Sequence, residues 1–119
     1  MLNEPTHKTK LRALLKINCE YLVKNKNISR ISIQTDFIND DLRDNTQQTV
    51  DAYLPLVIKS YINDFSEGEI KQRLYMLILT MQSVFLRTSL FKEQTGIDFQ
   101  NPEQRDELMD KLVDLYFGK

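Results

Sequence analysis

Glu69-Ile70-Lys71-Gln72-Arg73-Leu74-Tyr75-Met76-Leu77-Ile78-Leu79-Thr80-Met81-Gln82-Ser83-Val84-Phe85-Leu86-Arg87-Thr88-Ser89-Leu90-Phe91 is the longest apolar-periodic run in this 119-residue chain. Ile70, Leu74, Leu77, Ile78, Met81, Val84, Phe85 and Phe91 recur at the three- and four-residue steps of one helical face. Tyr75, Leu79, Leu86 and Leu90 make a second apolar side on the same helix. A helix that is apolar on two sides must be covered on two sides. One cover comes from the chain's own core. The expected second cover is another copy of the chain; in the alternative, both rows are buried inside one subunit.

The C-terminal segment has the same double character. Leu108, Leu112 and Leu115 form one row, Met109, Val113 and Tyr116 the row beside it, and Phe117 extends the patch. Its start carries strong signals: Asn101 as a cap, Pro102 at the first helical position, and Glu103, Asp106 and Glu107 near the positive end of the helix dipole. Gly118 and Lys119 close it. Two such helices paired with their symmetry mates would make a four-helix dimer interface. Met81, Phe85, Thr88, Met109, Leu112, Val113 and Tyr116 are the residues expected at that contact.

Towards the N-terminus, Ser66-Glu67-Gly68 reads as the end of a preceding helix, with Gly68 supplying the turn. That helix is expected from about Asn45 to Phe65, with Val50, Leu54, Val57, Ile58, Tyr61, Ile62 and Phe65 on one face. Pro55 removes a ladder bond inside it, which predicts a kink near Asp51 to Leu54. Asn39-Asp40-Asp41 marks a turn or a fresh cap. Ile28 to Ile38 alternates partly like a strand, but a lone strand would leave its backbone groups unpaired, so a short helix is expected. Before it, Leu11, Leu14, Leu15, Asn18, Tyr21 and Leu22 form an amphipathic stripe from Lys8 to about Lys24, preceded by a frayed lead-in over Met1 to Thr9. The expectation is therefore one all-α domain over residues 1–119, a bundle of five helices.

With 41% hydrophobic and 28% charged residues and only three Gly and three Pro, the composition suits a soluble, helix-rich globular chain. Sixteen basic residues against seventeen acidic leave a net charge of −1, which argues against a dedicated nucleic-acid surface. Lys8, Lys10, Arg12 and Lys16 cluster near the start, a pattern that usually marks a solvated helix face. Cys19 is the single cysteine, which leaves no intramolecular disulfide and no zinc framework and fits a cytoplasmic location. No run approaches the roughly eighteen apolar residues of a membrane span, and Met1 to Lys10 lacks the apolar core of a secretory signal.

Residues for chemistry are few. His7 is the sole histidine, near the terminus and without an obvious partner, and is expected on the surface. Cys19 reads as a small buried filler. Asp40 with Asp41, and Glu67 with Glu69, adjoin turn residues and read as solvated caps. No Ser/His/Asp or Cys/His set can be assembled and no glycine-rich phosphate loop is present. No enzyme activity, cofactor or metal is expected. For a small, mostly apolar ligand the candidates are Phe37, Tyr53, Tyr61, Met76 and Arg87, because a tyrosine joins an apolar body to one orienting hydroxyl. Each of these also fits a core or interface role.

The run from Phe85-Leu86-Arg87-Thr88-Ser89-Leu90-Phe91 through Gly96-Ile97-Asp98 and Asn101-Pro102-Glu103-Gln104-Arg105 to Leu108-Met109-Asp110-Lys111-Leu112-Val113-Asp114-Leu115-Tyr116-Phe117-Gly118 resembles the C-terminal half of a tetracycline-repressor (TetR) type transcriptional regulator. The turn from Ser66 to Ile70 is similar too. Together these segments cover about half of the chain, and none is a catalytic-grade motif. The resemblance implies a homodimer paired through the last two helices, earlier helices enclosing an effector pocket, and operator DNA bound only through a helix-turn-helix head. This chain has no match to the aromatic-rich signature of that head. The alternative is a helical dimerisation or adaptor module without a small-molecule site.

Overall fold

The computed structural model describes residues 7–38 and 46–118, without the side chains of residues 7–9 and 37. Six helices run through them: α1 (His7–Lys24), α2 (Lys26–Ile38), α3 (Thr46–Tyr61), α4 (Glu67–Leu86), α5 (Thr88–Thr95) and α6 (Pro102–Phe117). There is no strand among the described residues, so the chain is all-α and Ile28–Ile38 lies within a helix. The lead-in before His7, the His7 side chain and the turn at Asn39-Asp40-Asp41 lie outside the described residues.

The helix count exceeds the expected five because the run from Glu69 to Phe91 is not one helix. It breaks at Arg87, and α5 leaves α4 at 91°. Arg87 has non-helical dihedrals (φ −117°, ψ 37°), and its amide is shared between the Ser83 and Val84 carbonyls at 3.2 and 3.1 Å. Two side chains take over carbonyls that a continuous helix would use: the Thr88 hydroxyl donates to Phe85 O at 2.6 Å, and Arg30 Nη1 donates to Leu86 O at 3.2 Å. Short hydroxyl side chains compete with the helical ladder in this way, and Arg87-Thr88-Ser89 places two of them at the break.

Other boundaries follow from caps. α3 stops at Tyr61, and Ser66 caps α4 by accepting the Glu69 amide at 3.2 Å. Gly68 therefore belongs to the first turn of α4 and does not end α3. The glycine that makes a turn is Gly96 (φ 80°), whose left-handed backbone closes α5, its N–H donating a hydrogen bond to Lys92 O at 2.8 Å. Asn101 accepts from the Glu103 and Gln104 amides at 3.0 and 3.2 Å, with Pro102 at the start of α6, as the sequence predicts. Pro55 lies inside α3, which is one continuous element across it.

The four longest helices form a closed ring. α1 packs on α3, α3 on α4, α4 on α6, and α6 back on α1. Their inward rows meet in one core: Leu11, Leu15 and Cys19 from α1, Val50 and Val57 from α3, Leu74, Leu77 and Ile78 from α4, Met109 and Val113 from α6. Aromatic contacts close its two ends. Tyr61 stacks on Phe117 with centroids 4.5 Å apart, and Phe85 meets Phe99 at 6.0 Å. Because α4 lies between α3 and α6, its first apolar row is buried by its own chain, whereas Tyr75, Leu79 and Leu86 of the second row are only partly covered and Leu90 is exposed.

The helices α2 and α5 sit outside this ring. A buried polar knot fixes α2 to it. The Thr46 amide donates to Asp36 Oδ2 at 3.2 Å, and the Thr46 hydroxyl donates to Gln82 Oε1 at 2.9 Å. All three residues are buried, so the end of α2, the start of α3 and the middle of α4 share hydrogen bonds away from water.

Candidate functional site

The outward side of α4 and α6 is a face that the ring leaves open. Tyr116 anchors it: its hydroxyl and that of Thr80 are 2.8 Å apart, and its carbonyl accepts Arg73 Nη1 at 2.7 Å. Arg73 is held in turn by Glu69 at 2.7 Å and lies 4.0 Å over the Phe65 ring. These contacts lock the two helices side by side. On this platform Met76 is half exposed and Leu115 is 70% exposed, with Tyr75 and Leu79 partly covered nearby. A shallow groove of about 440 Å³ runs between Met76, Leu115 and Tyr116.

Beyond Thr80 the same face reaches the α4–α5 elbow, where two hollows meet. One, of about 360 Å³, has a floor of Val84, Leu90 and Phe91 and a rim that includes Arg87 and Gln94. The other, of about 250 Å³, is polar and is lined by Lys26, Arg30, Arg87, Thr88 and Ser89 among others. Arg87 and Leu90 border both. No carboxylate lines either hollow.

Of the five residues expected to line a pocket, the four whose side chains are described, Tyr53, Tyr61, Met76 and Arg87, are not gathered into one. Tyr53 donates its hydroxyl to Leu14 O at 3.2 Å, bridging α3 and α1. Tyr61 belongs to the aromatic end of the core. Met76 faces outward on α4, and Arg87 is exposed at the elbow. The Phe37 side chain lies outside the described residues. The physical reason is that α1 and α3 pack directly, through Leu15, Val50 and Val57, where a chamber was expected.

The residues expected at the dimer contact divide in the same way. Met81, Phe85, Met109, Leu112 and Val113 are buried within the single chain, so a second copy has almost no further area to cover on them. Thr88 is occupied with Phe85 O, and Tyr116 alone of the seven sits on the outward seam. Leu115 and Thr80 lie on that seam with it. Leu115 was visible as the end of an apolar row, whereas the role of Thr80 depends on a tertiary partner that no local spacing reveals.

The chemistry of the interior is quiet. Burial pushes the Cys19 thiol from its ordinary 9.0 up to about 12, and the Tyr53 phenol from 10.0 to about 12. Both groups thus keep their protons in the folded chain at pH values where the unfolded chain has lost them. Stability is then fully present below about pH 9 and falls as pH rises from 9 towards 12. Thermal melts across that window are expected to show a declining midpoint, and Cys19 is expected to resist alkylation at pH 8 until the chain is unfolded. On the surface, Arg12 bridges Asp110 and Asp114 at 3.3 and 2.6 Å, and Lys16 adds a contact to Asp110 at 3.3 Å. The Asp114 hydrogen bond holds the Arg12 guanidinium above its ordinary range. Among the described residues, no group of His, Cys, Asp and Glu side chains could hold a metal ion, and no single helix is long and apolar enough to cross a membrane.

By its fold the chain is an all-helical protein built on a four-helix ring with two outlying helices. Comparison with protein-family models, with curated proteins and with solved structures finds no match to it.

Proposed function

We propose that this chain is the ligand-sensing and dimerisation half of a TetR-type transcriptional regulator, pairing with a second copy through the outward seam of α4 and α6. The observation that carries the reading is that seam: a rigid two-helix platform, pinned by the Thr80–Tyr116 hydrogen bond, with Met76 and Leu115 uncovered on it. It occupies the last long helix pair, where the resemblance in sequence is strongest. Two such platforms related by a two-fold axis would stack four helices and cover the Met76 and Leu115 side chains that one chain leaves in water.

Sedimentation equilibrium over a dilution series tests the pairing. A dimer is expected for the unaltered chain. Met76→Glu combined with Leu115→Glu is expected to weaken it about a hundredfold or more, since glutamates would face their own symmetry mates. Helical content should stay unchanged, because both positions are exposed. Ile38→Glu, on an exposed site of α2, should leave the mass alone. A monomeric parent chain, or a dimer indifferent to the double change, would refute the pairing. The regulator half of the proposal is tested by the intact coding region, where a helix-turn-helix segment in frame ahead of Met1 is expected.

A second reading, a helical adaptor without a small-molecule site, draws on the direct packing of α1 against α3. It predicts the same dimer but no helix-turn-helix segment.

A further inference from the structure

We infer that the α4–α5 elbow is a binding site for an anionic amphiphile, a small molecule with one carboxylate or phosphate head on an apolar body. Two adjoining hollows of opposite character carry the inference. The first offers Val84, Leu90 and Phe91 as an apolar floor, in a volume of about 360 Å³ that falls at the lower end of the usual range for small-ligand sites. The second brings three cations together, Lys26 and Arg30 from α2 and Arg87 from the elbow. In a chain whose net charge is −1, these three have no carboxylate beside them in the hollow and form no ion pair with any described residue.

The geometry favours a joined ligand over two separate ones, because Arg87 and Leu90 line both hollows. A head group held by Arg87 would leave its attached chain at the edge of the apolar floor. Arg30 is fixed in place by its bond to Leu86 O at 3.2 Å, and a guanidinium has five N–H donors, so further donors remain for an anion. The 91° bend creates the site: a straight continuation of α4 would carry Leu90 and Phe91 away from Val84.

The test is ¹⁵N-resolved chemical-shift titration of the whole chain with decanoate and with decyl phosphate, both below their micellar concentrations. Decanol and inorganic phosphate serve as the uncharged and the headgroup-only probes. At least one of the two alkyl anions is expected to bind saturably, with the largest shifts at the Val84, Thr88, Ser89 and Leu90 amides. Arg87→Gln and Lys26→Gln, both at exposed positions, are each expected to weaken that binding about tenfold. Leu90→Ser should weaken it while leaving any binding of inorganic phosphate unaltered. The same result is expected on the Met76→Glu/Leu115→Glu chain, which separates the elbow from the pairing proposed above. Decanol binding as tightly as the alkyl anions, phosphate alone binding as tightly, shifts centred elsewhere, or indifference to the charge substitutions would each overturn the inference.

Discussion

Phe85→Glu is expected to abolish folding of the single chain, and not merely to separate two copies. Phe85 is 2% exposed, and its ring lies 6.0 Å from that of Phe99. Deleting a buried phenylalanine costs about 3–5 kcal/mol, and an unpaired carboxylate in its place adds several more. The total is comparable to the whole stability of a small domain, about 5–15 kcal/mol. Circular dichroism is expected to show loss of the cooperative melt at every protein concentration. Val113→Glu, at 1% exposure on α6, should behave alike. Lys24→Glu, at a largely exposed position, should leave the melt unchanged apart from its contact with Glu20. A Phe85→Glu chain that stayed folded at half the mass would place Phe85 at a contact between subunits and contradict the ring.

Tyr61→Ala is the second large effect. The ring is stacked on Phe117 and lies 6.5 Å from Phe65, so its removal opens a cavity where α3, α4 and α6 come together. The expected loss is about 3–5 kcal/mol. For a domain of this size that corresponds to a fall in Tm of roughly 10–20 °C. Differential scanning calorimetry without any ligand present checks it. A residue that merely lined an open pocket would give a small change, and chiefly when a ligand was bound.

The elements whose periodicity is local were legible in the sequence. The spacing of Leu11, Leu15 and Leu22 predicts α1, and Asn101-Pro102 marks the start of α6 to the residue. The two-sided face of α4 was legible as well, but its meaning was not. Leu74 and Met81 look the same in sequence whether the cover is α6 of their own chain or a neighbour, and only the ring of helices decides it. The break at Arg87 was hidden because apolar residues continue through it; the signal was the hydroxyl pair Thr88-Ser89, which rivals the ladder. The elbow cations were hidden for another reason. Lys26 and Arg30 lie more than fifty residues from Arg87, and charge composition near zero says nothing about where like charges meet.

The ion cluster of Arg12 and Lys16 with Asp110 and Asp114 joins the first helix of the chain to the last. Such partly exposed pairs add little to stability, yet they constrain direction. The cluster therefore ties the bearing of α1 to that of α6, the helix proposed above to take part in pairing. Two copies paired along α6, as proposed above, would then hold their α1 helices at one set separation, as the two arms of a caliper are set by its pivot. Raising ionic strength screens these contacts and would slacken the pivot without melting the bundle. The stiffness of that linkage, more than the strength of the core, would govern how faithfully a change at the proposed pairing seam reaches α1.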